Sequence, residues 1–410
     1  MITRRSFLGY SPIAPLALRS ILRAVPETSA PRVSARAIAL HKRTFIFDGH
    51  VHALDREFYH GGSFGTQSTE GQWDLVRAAA GGEGAFFLSI FVPEEYYPGR
   101  FETRQALRRI DHALQQIALN HNKVELALTA EDIRHICARG KMAAILDIEG
   151  SYDLDGDPGI LRDLYKLGLR SAQLSAHNWN QNYADACCSS PQSNGLTQRG
   201  RELIQEMNRL GMVINISHSS DQTISQAIDA SDHPVIATHG GLRSANNIPR
   251  LMSDDLLKKL ASKGGVFGFQ IGGEFASRRV AEYLIAQRNG KSFTDTTSIP
   301  DRVKGKTIEQ VDILVAPGFP MAGPRTPDNI AISADEWVDV VDRAIQLVGE
   351  DHVSFGSDFD GGPPLPRGMR DVRDLPLITD AMLHRGYSEE RIAKFWGGNL
   401  LRVFRQITQT

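Results

Sequence analysis

The apolar run TFIFDGHVHALD, residues 44–55, carries two histidines one residue apart, His50 and His52. On a strand, residues i and i+2 point the same way, so imidazoles at this spacing can reach one ion together. A lone histidine at a strand end is ordinarily a hydrogen-bonded rim residue. The pair gains meaning only if further ligands end other strands, and they do. AAILDIEG brings Glu149, RSAQLSAH ends in His177, MVINISH in His218, PVIATH in His239 and VSFGSD in Asp358, with Asp360 beyond it. Imidazoles around one shared carboxylate suit zinc. The two oxygens of Glu149 can bridge two ions; Asp147 alternates to the same side and competes for that role, and spacing alone does not choose. A paired-metal site lowers the pKa of a bound water from 15.7 toward roughly 7, which makes hydroxide available, and it polarises a carbonyl oxygen. Such chemistry wants a separate acid or base. Asp358 is placed for it, the bland alternative being a loop carboxylate that caps the DFDGG turn.

These residues need a frame that brings strand ends together. Short, apolar, non-alternating runs read as strands buried on both faces at 44–50, 85–92, 142–148, 170–175, 212–217, 234–238, 265–271 and 353–357. Helical patterns lie between most of them. In GLTQRGRELIQEMNRLG, Leu203, Ile204, Met207 and Leu210 share a face and Gly211 stops the helix. In TRQALRRIDHALQQIAL, Leu107, Ile110, Leu114 and Ile117 are placed similarly. Eight strands alternating with helices predict an α/β fold, a (β/α)8 TIM-type barrel, whose chemistry sits where strands end. An open doubly wound sheet is the alternative, but DGHVHALD is not the glycine-rich phosphate turn that fold usually shows. Residues about 274–333 read as a long insertion between the last two strands. Residues 1–36 read as a leader and 37–410 as one barrel domain.

The chain has 410 residues, 41% of them apolar and 23% charged, with a formal net charge of −2. That balance gives no electrostatic reason to expect nucleic acid or an anionic membrane surface as partner. No stretch approaches the roughly 18 apolar residues of a transmembrane helix. The twin arginine Arg4-Arg5 before Ser6, Phe7 and Leu8 points to an exported or periplasmic protein, with a cytoplasmic chain carrying a disordered basic tail as the alternative. Cys137, Cys187 and Cys188 form no zinc spacing and no disulfide framework, and read as one helix thiol and two loop thiols.

The ordered series DGHVH, DIEG, AHN, GLTQRGRELIQEMNRLGMVINISHSS, PVIATHGGLRSANNIPRLMSDD, FGSDFDGG and GNLLRVF, spanning about residues 42–407, resembles the membrane (renal) dipeptidase family of zinc metallopeptidases. The resemblance implies a TIM-type barrel holding two zinc ions and hydrolysing dipeptides. It puts His50 and His52 at the first ion, Glu149 at the bridge in preference to Asp147, and His218 and His239 at the second ion. It puts His177 against substrate near the scissile carbonyl, Arg250 on a substrate carboxylate, and Asp358 as acid and base. The implied partner is a small dipeptide, and a homodimer is the assembly to test. The chain departs from the family at its first motif, usually His-x-Asp and here His-x-His. That exchange removes one negative charge from the first ion's surroundings, which should weaken metal retention there. Leu251 also stands where an asparagine is usual, and SAHNWN differs in spacing from the commoner LTHN. Two rival readings remain at this point: a two-metal amidohydrolase of another small amide, lactone or N-acyl amino acid, and a metal-impaired barrel serving as a binding scaffold.

Overall fold

In the computed structural model the described residues are 33–93, 101–150, 157–175, 182–188, 194–290, 303–321 and 323–408. Nine strands are present among them: β1 Ile46–Val51, β2 Glu83–Val92, β3 Val124–Leu126, β4 Met142–Gly150, β5 Leu169–Gln173, β6 Val213–Asn215, β7 Ile236–Gly240, β8 Val266–Phe269 and β9 Val353–Phe355. Eight run in the order β1-β2-β4-β5-β6-β7-β8-β9, every neighbour parallel, with helices in the connections. An isolated parallel bridge, Val51 to Phe359, and the bond from Asp358 N to the His50 carbonyl at 2.9 Å bring the last strand's exit against β1. This is the (β/α)8 barrel that the alternation of the sequence predicts, and the segment between β8 and β9 carries the long insertion, with helices at Arg278–Gln287 and Ile308–Val315.

The strands are short, largely apolar runs buried on both faces. All nine residues of β4 are buried, as parallel strands between helices and a barrel interior must be. The short β3, unanticipated by the strand reading, pairs with the start of β4 through Val124 and Met142. Three residues of VELAL are too few to stand out from a helix approach. On the helix Gln198–Leu210 the residues Leu203, Ile204 and Met207 are buried, and Gly211 ends it at φ 68°, where a side chain would be strained.

The helix Glu102–Leu119 corrects the expected face. Ala106, Ile110, Ala113 and Ile117 are buried, while Leu107 is 41% exposed. Large apolar residues suggested one stripe; small alanines, which let the helix approach β2, and the buried polar Gln105 and Arg109 set another.

Opposite the histidine-bearing ends, Phe47, Phe87, Ile145, Val213, Ile236 and Val266 form an apolar cluster with Leu400, Val403, Phe404 and Ile407 of the C-terminal helix. That helix plugs the barrel floor, its Phe404 ring meeting Phe47 and Phe87 edge-on. Gly356 allows a close approach at the other end, since a Cβ there would run into the Thr238 carbonyl next to His239. No helix among the described residues is long and apolar enough to cross a membrane.

The two loop cysteines are corrected. Cys187 and Cys188 are joined to each other by a disulfide, in a turn that brings adjacent sulfurs together. Cys187 is buried, and its N–H donates to the His218 carbonyl at 2.7 Å. Cys137 is the helix thiol expected, half-buried on Ala130–Ala138.

Candidate metal centre

Five strands deliver side chains to one place. β1 ends beside His50 and His52 with a register shift against β2 between Asp48 and Val51, the kind of irregularity that re-aims side chains beside active sites. β4 delivers Glu149 and β7 His239; His218 follows β6 and Asp358 follows β9. His218 and Asp358 sit at φ 64° and 61°, a left-handed conformation that costs energy in non-glycine residues and clusters at functional sites. Each is held by its neighbours. The His218 carbonyl takes the Cys187 N–H, and Asp358 N is bonded to β1.

All four described imidazoles turn Nε2 inward onto Glu149. Its Oε2 lies 2.6 Å from His50 Nε2 and 3.0 Å from His52 Nε2, and these two nitrogens are 3.3 Å apart. Its Oε1 lies 3.1 Å from His218 Nε2 and 3.6 Å from His239 Nε2, which are 3.0 Å apart. Two triangles of donor atoms therefore share one carboxylate. Zinc–nitrogen bonds of 2.0–2.1 Å at a tetrahedral angle place ligand atoms roughly 3.4 Å apart. The triangle sides lie near that value, the 2.6 Å side being the short one, so the donor set fits divalent metal.

The outer ring nitrogens are engaged too. His52 Nδ1 is 3.0 Å from Asp55 Oδ2, His239 Nδ1 is 3.1 Å from Thr238 Oγ1, and His50 Nδ1 is 3.4 Å from Asp147 Oδ2. The last is a charge contact more than a hydrogen bond, because His50 Nδ1 has no hydrogen-bond partner among the described residues. Asp147, which competes with Glu149 in the sequence, thus stands behind His50 and takes a bond from Asn215 Nδ2 at 3.2 Å. A ring nitrogen held from outside leaves Nε2 as the atom able to bind a metal.

The field favours positive charge on His50 and His52 and disfavours it on His239. Burial raises the Glu149 carboxyl, but His50 and His52 hold it well below its ordinary value. Burial lowers the His50 imidazole, but Glu149 and Asp147 push it up to about 9. His239 is held well below its ordinary value by burial and by the charge of His50. One carboxylate at the centre of four buried imidazoles attracts a cation and gives it no competing bulk water.

Asp358 lies at the rim of this cluster, Oδ1 3.3 Å from His52 Nε2 and Oδ2 accepting from Gln270 Nε2 at 2.9 Å. Arg250 is buried beside it. Burial lowers its guanidinium to about 10, its Nη2 donates to the His239 carbonyl at 3.1 Å, and its Nε has no partner among the described residues. Leu251, in place of the usual asparagine, is buried and lines a small cavity with Arg250, His218 and His239. His177 lies outside the described residues. Asp360 is not part of the cluster; it accepts from the Gln72 N–H instead. Asp55, Gln270 and Thr238 also hold these side chains, and the sequence carries little signal for them. His52-x-x-Asp55 is the one spacing that signals such a residue; Gln270 lies on a strand end without charge.

The profile of the membrane dipeptidase family (peptidase family M19) matches residues 34–410. Dipeptidase verJ of Clonostachys rogersoniana is 30% identical over 346 residues, 82% of this chain and 76% of that one. The probable dipeptidase PvdM of Pseudomonas aeruginosa superposes with a TM-score of 0.74 at 26% identity, covering 91% of this chain and 98% of that one. A Rhodobacter sphaeroides metallo peptidase, solved with a phosphinate mimic of the dipeptide L-Ala-D-Ala, has the same fold at a TM-score of 0.68 and 23% identity, with coverages of 89% and 99%. With this barrel and a donor set suited to metal at its strand ends, the chain belongs to the membrane dipeptidase family and is a metallodipeptidase.

Proposed function

We propose that this metallodipeptidase holds two zinc ions, one among His50, His52 and Glu149 Oε2, the other among Glu149 Oε1, His218 and His239. The observation that carries the reading is the pair of donor triangles sharing Glu149. Three or more imidazoles with a carboxylate favour zinc over magnesium or calcium, which prefer oxygen ligands. Bound there, zinc supplies an activated water and polarises the scissile carbonyl.

The protein's own residues do the rest. Arg250, buried and with Nε unengaged, receives the C-terminal carboxylate of the substrate and so fixes its register. Asp358, at the rim with one oxygen held by Gln270, takes the proton from the attacking water and gives it to the leaving amine. His177 contacts the carbonyl oxygen as negative charge develops. An anchoring arginine close to the metal ligands leaves room for a short substrate. The L-Ala-D-Ala mimic in the Rhodobacter neighbour extends the expected substrates to L,D dipeptides. Residues 37–410 act as one catalytic unit with 274–333 as an insertion between the last two strands; residues 1–36 direct export, and two chains associate.

The test is zinc content of protein purified without chelator, with hydrolysis of L,L and L,D dipeptides. About two zinc per chain with turnover supports the reading. One zinc or none, with no turnover after zinc is restored, overturns it.

A further inference from the structure

The exchange of the usual aspartate for His52 removes a negative charge from the first metal site, and the structure contains a carboxylate placed to return it. Asp55 is buried, 2% exposed, and its Oδ2 lies 3.0 Å from His52 Nδ1. Its other oxygen, Oδ1, accepts from Arg109 Nη1 at 2.5 Å. Arg109 is itself buried and held at the far end: Nη2 bonds the Tyr59 hydroxyl at 2.5 Å, and the guanidinium lies 4.4 Å from the Phe58 ring centroid. We propose that Asp55, fixed by Arg109, is a positioning residue that lets His52 serve as a metal ligand in place of a carboxylate. The proposal rests on the assignment of His50, His52 and Glu149 to a metal.

A neutral imidazole carries one ring proton, and whichever nitrogen keeps it cannot bind metal. A carboxylate at Nδ1 keeps the proton there, which frees Nε2, the atom 3.0 Å from Glu149 Oε2, for the ion. The same carboxylate makes the imidazole a better electron donor, so part of the lost negative charge is felt at the ion through the ring. Arg109 grips the oxygen that His52 does not use, so the carboxylate cannot rotate away. The guanidinium is thereby on the side of Asp55 remote from the imidazole, and the negative end of the pair faces His52.

Asp55 sits on the helix Asp55–His60 and Arg109 on Glu102–Leu119, two elements that share no strand with the metal cluster. A purely structural ion pair between them would need only Asp55 and Arg109. The His52 contact is the additional feature, and it is what the experiment isolates.

The zinc affinity of the full chain is measured by chelator competition in four proteins: the parent, Asp55→Asn, His52→Asp, and both changes together. In the parent background Asp55→Asn is expected to weaken one of the two zinc sites by about 10–100-fold while the other keeps its affinity. In the His52→Asp background, where position 52 has the family's carboxylate, the same change is expected to cost no more than about twofold. An equal loss in both backgrounds overturns the proposal, as does a lowered melting temperature of the metal-free protein with unchanged zinc affinity. Should Asp55→Asn not fold, Arg109→Lys keeps a positive charge on Asp55 but loses the fork. It is expected to shift the weaker site's affinity the same way, and unchanged affinity overturns the proposal. A parent chain that binds no zinc at all would instead refute the metal assignment itself, a result legible before any variant is compared.

Discussion

Glu149 meets His50 at 2.6 Å, Oε2 to Nε2, and turns its other oxygen to His218 at 3.1 Å. One side chain therefore belongs to both donor triangles, and its loss cannot be confined to one of them. If Glu149 bridges the two proposed zinc sites, Glu149→Ala is expected to abolish binding at both and to lower kcat/KM for a dipeptide by more than about 10³, the several kcal/mol that metal supplies to such a reaction. His239→Ala, by contrast, should leave one site filled. Metal analysis of the two variants separates shared from single ligands: two zinc retained in Glu149→Ala would remove it from the bridge.

Asp358 carries a different expectation, although its Oδ1 approaches His52 Nε2 to 3.3 Å. Under the proposed role of Asp358 in proton transfer, its change to asparagine should lower kcat by about 10²–10⁴. Zinc content should stay that of the parent, because the imidazoles and Glu149 remain. Loss of zinc from Asp358→Asn would make it a ligand, since it also lies within reach of His50 and His239.

How much of this was legible beforehand depends on how local each signal was. The eight strands of the barrel path stand out as short, non-alternating, largely apolar runs, and each run falls on an observed strand, although β6, β8 and β9 are shorter than the runs that signal them. β3 was missed because three residues paired at the foot of β4 give no period of their own. The strand-end residues His50, His52, Glu149, His218, His239 and Asp358 converge because the barrel closes, and a fold that places all strand ends on one rim makes that convergence readable from sequence. The partners behind them are not readable in the same way. By spacing alone Asp147 rivals Glu149 because both face the same side; the family resemblance prefers Glu149, and the structure puts it at the centre with Asp147 behind His50. Arg109 reaches Asp55 from 54 positions away, on a helix whose buried face the large side chains misreported. The Cys187–Cys188 bond escaped because spacing rules address cysteines that span a loop, whereas these two close a turn against His218.

Arg250 gives a prediction about binding more than rate. A charge-assisted bond to the substrate carboxylate made from a buried guanidinium is worth about 1.5–3 kcal/mol, so Arg250→Met should raise KM by roughly 10–150-fold with a smaller change in kcat. A dipeptide amide, which lacks that carboxylate, should be a poor substrate of the parent and no worse for the variant. Equal sensitivity of acid and amide to the substitution would move Arg250 to a structural role, one its bond to the His239 carbonyl could support.

Glu274, at the start of the insertion, is buried, its Oε2 has no partner among the described residues, and burial pushes its carboxyl up to about 8, with the charge of Asp358 adding to the rise and Arg288 opposing it. The sign follows from proton counting. In the unfolded chain this group releases its proton near its ordinary value of about 4.3; in the folded chain it keeps it until about pH 8. Between those values the folded state binds more protons, so its stability falls as pH rises through that window. Below it the group is neutral in both states and contributes no pH dependence. Glu274→Gln resembles the protonated acid at every pH, so it should leave the melting temperature unchanged near pH 4 and raise it by a few degrees near pH 9. Melting curves of both proteins with zinc held constant across that range check this. Equal shifts at both pH values would mean that Glu274 is ionised in the fold and has found a partner to hold it so.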